Sequence, residues 1–375
     1  MITKKSFIII ISFFLTCTNI ITPDYPKKMV ISTMISDLRE TPYQAPSHIN
    51  LPASPYDNPL QTSQLLLGEY VVAHEEFTNE FGEVWLKVNA LQQKHFDEQI
   101  GWQGYPGWIL KEHAIEVEQF PAHNLVVKKF LTSAHNSDHQ EFFKLSIGTR
   151  LQGYKPENSD YWIIDTTYDL SKNLTNCIFI HQNDVYELYD HWDISEQELR
   201  YNIVQSAKQF LGADYSWGGR SAQTDQVHIS GADCSATVHL SYLANGLQIP
   251  RMSHEQFLAA REIEDGKNML PGDLIFFSTI PELRRADLHH IDHIMLYIGD
   301  GMLLESTMAG DRNIRIFPCS KRLGYNISEM KSGDVSNTVE DKFYVYFASY
   351  LHDPDLIMQL RQNATRYNTR LALQP

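Results

Sequence analysis

Cys234, His293 and Glu305 are the candidate reactive residues of this chain. Cys234 follows Gly231-Ala232-Asp233 and opens an apolar, helix-like run. A thiol at a helix start sits where the macrodipole and free backbone N–H groups favour an anion. Such placement can lower a thiol pKa from about 8.5 into the range of roughly 3.5–7.5. The N–H of Cys234 is also placed to help bind an oxyanion. His293 opens a strand-like run that ends at Gly299-Asp300-Gly301, and a base beside a thiolate is what a cysteine nucleophile needs. A hairpin at that turn returns Glu305 to the side of His293, where a carboxylate fixes the imidazole tautomer and supports its charged form. Each residue also has a plain structural reading: a buried helical cysteine, a histidine at a strand edge, a solvated glutamate. A metal cluster of His289, His290, Asp292 and His293 is disfavoured, because successive strand side chains point to opposite faces.

These residues need elements to carry them. Ser195 with Glu198 forms a capping box, which predicts a helix from about Glu196 to Leu211, stopped by Gly212. A second helix is predicted from Asp233 or Cys234 to Asn245, stopped by Gly246. Strand patterns follow at 272–277, 293–299, 302–305, 314–316 and 343–346. Helices first and antiparallel strands after indicate an α+β domain. Upstream, short strands with Gly-rich turns run through 65–72, 82–88 and 104–109, with a weaker echo from 145 to 186, and suggest two consecutive small β-barrels. The prolines at 23, 26, 42, 46, 52, 55 and 59 read as an irregular linker or an extended arm packed on another domain. From about Asp353 the chain turns polar, as a short helix or a frayed tail.

Bulk properties narrow the function. A chain of 375 residues has room for two or three domains. A net charge of −15 argues against a nucleic-acid partner, since phosphate binding needs a basic face. Four cysteines are too few for a disulfide framework in this length, and Cys177 and Cys319 read as buried apolar residues. Lys4 and Lys5 precede the apolar run 7–15, the pattern of a secretory signal, with a buried strand or short anchor as the alternative. Export to the periplasm or cell envelope follows from the signal reading, and a cytoplasmic location from its failure. Cys17 is a candidate lipidation site and so a membrane tether.

Residues 201–318 resemble the NlpC-type family of papain-fold bacterial cell-wall peptidases. The resemblance rests on Tyr215-Ser216-Trp217-Gly218-Gly219, Gly231-Ala232-Asp233-Cys234-Ser235, the run 249–256, Leu270-Pro271-Gly272-Asp273 with the apolar residues after it, and the run 292–301. Gly104-Tyr105-Pro106-Gly107-Trp108 is similar to the bacterial SH3-like modules that precede the catalytic domain in the dipeptidyl endopeptidase branch. The architecture implied is a papain-like C-terminal domain preceded by two small SH3-like β-barrels. Its segments are a signal (1–20), a Pro-rich arm (21–60), barrels at 61–118 and 119–192, a catalytic domain (193–350) and a polar tail (351–375).

The resemblance implies Cys234 as nucleophile, His293 as base and Glu305 in a third position that relatives commonly fill with histidine. It implies cleavage between γ-D-glutamate and a diamino acid in peptidoglycan stem peptides or muropeptides with a free N-terminal L-alanine. Asp233 would pair with the α-ammonium. Tyr215, Trp217, Ser235 and Ser253 would line the alanine and glutamate subsites, Tyr105 would close the pocket, and Glu69 would be a second ammonium contact. Trp217 and Trp108 read equally as packing residues. No metal or organic cofactor is implied. The alternatives are a related amidase or acyltransferase with the same triad, and a wall-binding protein whose site has decayed. The insertion 221–230 and the loop 279–291 depart from the pattern.

Overall fold

The computed structural model describes residues 25–43, 60–165, 178–222, 231–281, 290–308, 310–311, 313–338 and 342–365. The apolar run 7–15, Cys17, Cys177 and most of the insertion after Ala222 lie outside the described residues. Among the described residues, no helix is long and apolar enough to cross a membrane.

The first sheet has seven strands: β1 (Lys27–Ile31), β2 (Ile35–Arg39), β3 (Gln61–Leu66), β4 (Tyr70–Thr78), β5 (Val84–Asp97), β6 (Gly101–Leu110) and β7 (Ala114–Glu116). They pair in the order β3-β2-β6-β5-β4-β1-β7. The Pro-rich segment is therefore not simply a linker. Its residues 27–31 and 35–39 form strands of that sheet, and Val30, Ile31, Ile35 and Leu38 are buried. The second unit comprises β8 (Leu125–Val127), β9 (Leu131–His135), β10 (Glu141–Ser146), β11 (Arg150–Leu151), β12 (Gly153–Tyr154), β13 (Tyr161–Ile164), β14 (Ile178–His181) and β15 (Val185–Glu187). It splits into a five-stranded and a three-stranded sheet. Both units have open pairing paths, and the described residues contain no closed barrel.

The C-terminal unit carries the long helices. α1 (Glu196–Lys208) starts where Ser195 Oγ accepts the N–H of Glu198, as the capping pattern predicts. β16 (Arg220–Ser221) and β17 (Gly231–Ala232) lead into α2 (Cys234–Leu243), and α3 (Ser253–Ala259) follows. The remaining sheet comprises β18 (Arg261–Glu262), β19 (Leu274–Ser278), β20 (Ile291–Gly299), β21 (Met302–Ser306), β22 (Ile314–Pro318), β23 (Asp334–Val335) and β24 (Tyr344–Ser349), with α4 (Cys319–Leu323) after β22. Its order is β18-β24-β19-β20-β21-β22, with β23 beside β24 and every pairing antiparallel. Strand alternation gives it two apolar faces. Leu274, Phe276, Ile294 and Leu296 pack with α1 and α2, while Ile275, Phe277, Met295 and Leu303 form a second core with Cys319 and Leu323. The polar tail is a helix for much of its length: α5 (Pro354–Thr365) sends Leu356, Ile357 and Leu360 into the main core. Its apolar residues are spaced three or four apart, so the polar majority occupies the other face.

The main core also takes in Ile35 and Leu66 from the first sheet and Ile147 from the second unit. All three units thus pack together around α2. Deleting residues 25–43 removes β1 and β2 and exposes the edges they cover. The shortened protein is expected to melt at a lower temperature than the full chain by calorimetry, whereas loss of a mere linker would leave the transition in place.

Candidate active site

Asp233 is the residue from which the site is built. Its backbone is extended (φ −72°, ψ 178°), and its Oδ1 accepts the N–H of Ala236, so it caps α2 and leaves Cys234 as the first helical residue. The approach to it is tight. Gly231 has φ +130°, and a Cβ there would lie 2.4 Å from the carbonyl oxygen of Asp214, so only glycine fits. Asp233 also forms a two-point ion pair with Arg251, at 3.0 Å from Nη1 to Oδ1 and 2.7 Å from Nη2 to Oδ2. Arg251 is fully buried, and its Nε donates to Ser63 Oγ of β3 at 3.0 Å. The Ser235 hydroxyl donates to Asp233 and accepts from Arg251. One guanidinium therefore ties the N-terminal sheet to the nucleophile's helix.

His293 and Glu305 are brought together by the hairpin. Gly299 pairs with Met302, leaving Asp300 and Gly301 as a two-residue turn with φ +52° and +69°. Positive φ at both positions suits the right-handed strand twist of a hairpin. The register places Leu296 opposite Leu304, so Glu305 stands diagonal to His293 on the same face. His293 Nε2 and Glu305 Oε1 are 2.8 Å apart. Glu305 is buried and also receives Arg322, whose Nε lies 2.9 and 3.1 Å from its two oxygens.

The charges support one another. Burial alone would lower the His293 pKa, but the charge of Cys234, a hydrogen bond with it, and Glu305 outweigh that and push it up to about 10. Burial likewise works to raise the Glu305 carboxyl, and His293 and Arg322 hold it below its ordinary range. His293 is thus a cation beside the thiol at neutral pH, the charge state of an activated cysteine nucleophile.

Cys234 lies where two cavities meet. One, of ≈620 Å³, is lined by His254, Phe277, His293, Thr307, Met308, Arg322 and Phe343. The other, of ≈280 Å³, reaches under the first sheet to Glu40, Gln61, Thr62 and Tyr105. Tyr215, Trp217, Met252, Ser253 and Asp292 line both. Tyr215, Trp217, Ser253, Tyr105, Asp233 and Ser235 are therefore brought to the cleft, as expected. Tyr105 Oη donates to Met252 Sδ at 3.5 Å, and burial pushes its phenol up to about 12. Trp108 is not in the cleft; Lys87 and Phe77 pack against it.

Two of the expected ammonium contacts are paired with arginines. Glu69 is 2% exposed, pairs with Arg220 at 2.8 Å and lines neither cavity. Its position at the start of β4, beside the β5 bulge between Ala90 and Lys94, turns it inward to a cation. Asp233 faces the cleft, but Arg251 already neutralises it. The sequence reading passed over Arg251, Arg322 and Glu40. Arg251 lies inside a quoted motif run, and its place just before the helix-starting Ser253 was a usable signal. Arg322 and Glu40 carry no local pattern.

A helix-start thiol, a cationic histidine and a buried carboxylate define a cysteine hydrolase. Residues 212–336 match the NlpC/P60 family. The chain is 30% identical over 255 residues to the gamma-D-glutamyl-L-lysine dipeptidyl-peptidase of Bacillus subtilis (strain 168), covering 68% of this chain and 74% of that protein. It is 27% identical over 270 residues to the protein of the same name from Bacillus cereus (strain ATCC 10987 / NRS 248), covering 70% and 71%. A crystal structure of an NlpC/P60 family protein from Bacillus cereus ATCC 10987 superposes with a TM-score of 0.60 at 21% identity, over 86% of this chain and 99% of that one. This chain belongs to the NlpC/P60 family, and it is a cysteine peptidase.

Two outcomes follow from these interactions. Because the charge of Cys234 is a main cause of the His293 shift, Cys234→Ala should bring the His293 titration, read by NMR, down from about 10 toward the ordinary imidazole range. Because the folded value lies above the ordinary 6.5, the His293 charge contributes its full stability below about pH 6.5, and that contribution is lost as pH rises through about 10. Arg251→Met leaves Asp233 buried without its cation and should cost about 3–5 kcal/mol in urea unfolding.

Proposed function

We propose that this protein hydrolyses the bond between γ-D-glutamate and the following diamino acid in peptidoglycan stem peptides, and that it prefers peptides with a free N-terminal L-alanine. The observation that carries the reading is the line Cys234–His293–Glu305 at the junction of a smaller cavity and a larger, more open one. The small cavity suits a short N-terminal acyl portion, and the larger one the leaving peptide. The relatives' name, gamma-D-glutamyl-L-lysine dipeptidyl-peptidase, describes removal of a dipeptide, which calls for a blocked end beyond the second residue. The first sheet forms that end through Tyr105 and Glu40.

In this reading the Cys234 sulfur attacks the γ-glutamyl carbonyl, and the developing oxyanion meets the N–H of Cys234. His293 gives its proton to the departing amine as the C–N bond breaks. A water then enters, His293 takes one of its protons, and hydroxide attack on the thioester releases the dipeptide acid and restores the thiolate, with His293 again protonated. Glu40 takes the ammonium role that Asp233 does not have free: it is exposed, lines the small cavity, and its charge acts on Tyr105. A blocked amine would forfeit that charge pair.

We read the two N-terminal units as SH3-like modules, with the seven-stranded sheet serving as a wall of the substrate pocket. We further propose export by the N-terminal apolar run, with Cys17 as the point of lipid attachment if that cysteine is processed.

The test is incubation with L-Ala-γ-D-Glu-diaminopimelate and its N-acetylated twin, followed by mass spectrometry. Release of free diaminopimelate from the unblocked peptide alone, abolished in Cys234→Ala, is the expected result. Glu40→Gln should lower kcat/KM for the unblocked peptide by roughly 10- to 100-fold, mainly through KM. Equal cleavage of both peptides would remove the ammonium pocket, and cleavage of neither would remove the substrate assignment.

A further inference from the structure

The third position of the triad holds a glutamate, and the structure supplies that glutamate with a partner of its own. Arg322 meets Glu305 from α4, with Nε 2.9 and 3.1 Å from the two carboxylate oxygens and Nη2 2.9 Å from Oε1. Oε1 is the atom that His293 Nε2 contacts at 2.8 Å. The carboxylate is therefore held between two cations, and its orientation is set by a forked contact rather than a single bond. Arg322 is itself well placed. α4 is pinned by the fully buried Cys319 and Leu323, and the guanidinium lies 4.6 Å over the ring of Phe277. Its side chain is about a quarter exposed, at the edge of the larger cavity.

We propose that Arg322 is the positioning residue of this active site: it keeps Glu305 ionised and aimed at His293 throughout the cycle. The argument turns on what happens when His293 hands its proton to the leaving amine. At that moment Glu305 loses one of its two cations while remaining buried. A buried carboxylate without a counter-charge takes up a proton. Protonated Glu305 would no longer favour recharging of His293, which the second half-reaction needs. A guanidinium keeps its charge throughout such a cycle, so this contact holds the carboxylate charged in both halves. The charged and titratable groups facing Glu305 are His293 from β20, with Cys234 of α2 behind it, and Arg322 from α4; Arg315 is its register partner on β22. Arg322 grips both carboxylate oxygens. A neutral histidine in the third position would need no such cation, so Arg322 and Glu305 form one unit.

The proposal rests on the hydrolase reading, and its first test needs no substrate. Alkylation of Cys234 by iodoacetamide, followed on the Cys234 peptide by mass spectrometry, reports thiolate as a function of pH. In Arg322→Met the acid limb of that profile should move to higher pH, and Arg322→Lys should restore it in part. A limb that stays in place, or moves to lower pH, overturns the proposal whatever the substrate proves to be. In peptide hydrolysis, Arg322→Met should lower kcat by roughly tenfold or more near pH 6, short of the 10²–10⁴ contributed by an acid–base catalyst itself, with KM little changed. A rise in KM at constant kcat would instead make Arg322 a contact for the leaving peptide. The last arm is a double variant. In a Glu305→His background, Arg322→Met should cost less than threefold, because the group it serves is gone. An undiminished loss in that background would show that Arg322 acts on the fold and not through Glu305.

Discussion

The buried pair between Arg251 and Asp233 is the interaction on which the site depends. Asp233 has three tasks at once: it caps α2, accepts Arg251, and orients Ser235. A capping bond of this kind is worth about 1 kcal/mol. The burial of Arg251 raises the stakes, since an unpaired charge in its place would cost several times more. Through Ser63 the same guanidinium reaches the first sheet. Phe96 N–H donates to Glu255 of α3 at 2.9 Å, and Arg220 joins Glu69 just before β4, so further polar links cross the same boundary. Such contacts have direction, which apolar packing lacks. They fix how the N-terminal sheet sits on the catalytic unit, and so fix the depth of the cavity that Tyr105 and Glu40 line.

Seen this way, the N-terminal sheet is part of the active site. Its β5 is long and bulged between Ala90 and Lys94. A bulge re-aims side chains; here Gln93 turns inward to donate to Glu69 and to accept from Ser63. The polar interior of this boundary is satisfied through shared partners rather than isolated pairs. That economy leaves Glu69 fully engaged within the boundary, whereas Glu40 is exposed at the small cavity.

The sequence made the catalytic core legible because its signals are local. A cap three residues before a helical amide, a Gly-Asp-Gly turn and a strand of known parity suffice to place Cys234, His293 and Glu305 relative to one another. The strands of the catalytic unit and the starts of α1 and α2 were readable for the same reason. What stayed hidden depends on distance along the chain. Strands β1 and β2 were masked by nearby prolines, and their pairing with β4 and β6 is non-local. The apolar stripe of α5 was diluted by polar neighbours until it met the core. The partners of Asp233 and Glu69 stayed hidden because each charge is answered by an arginine, Arg251 or Arg220, that no spacing rule links to it.

Glutamate in the third triad position changes the electrostatic problem more than the geometry. The diagonal across the hairpin would bring either a histidine or a glutamate to His293. A histidine brings a neutral ring that tolerates burial, whereas a glutamate brings a charge that burial opposes. With a carboxylate, the row from His293 to Arg322 alternates in sign: imidazolium, carboxylate, guanidinium. The buried carboxylate lies between two opposite charges. An alternating row of this kind stays charged in a low-dielectric setting because removal of any one member exposes its neighbour. The ring of Phe277 beneath Arg322 and the buried Cys319 and Leu323 anchor its far end. The substitution is thus a consistent solution in which the extra charge is matched by a residue seventeen positions further along the chain.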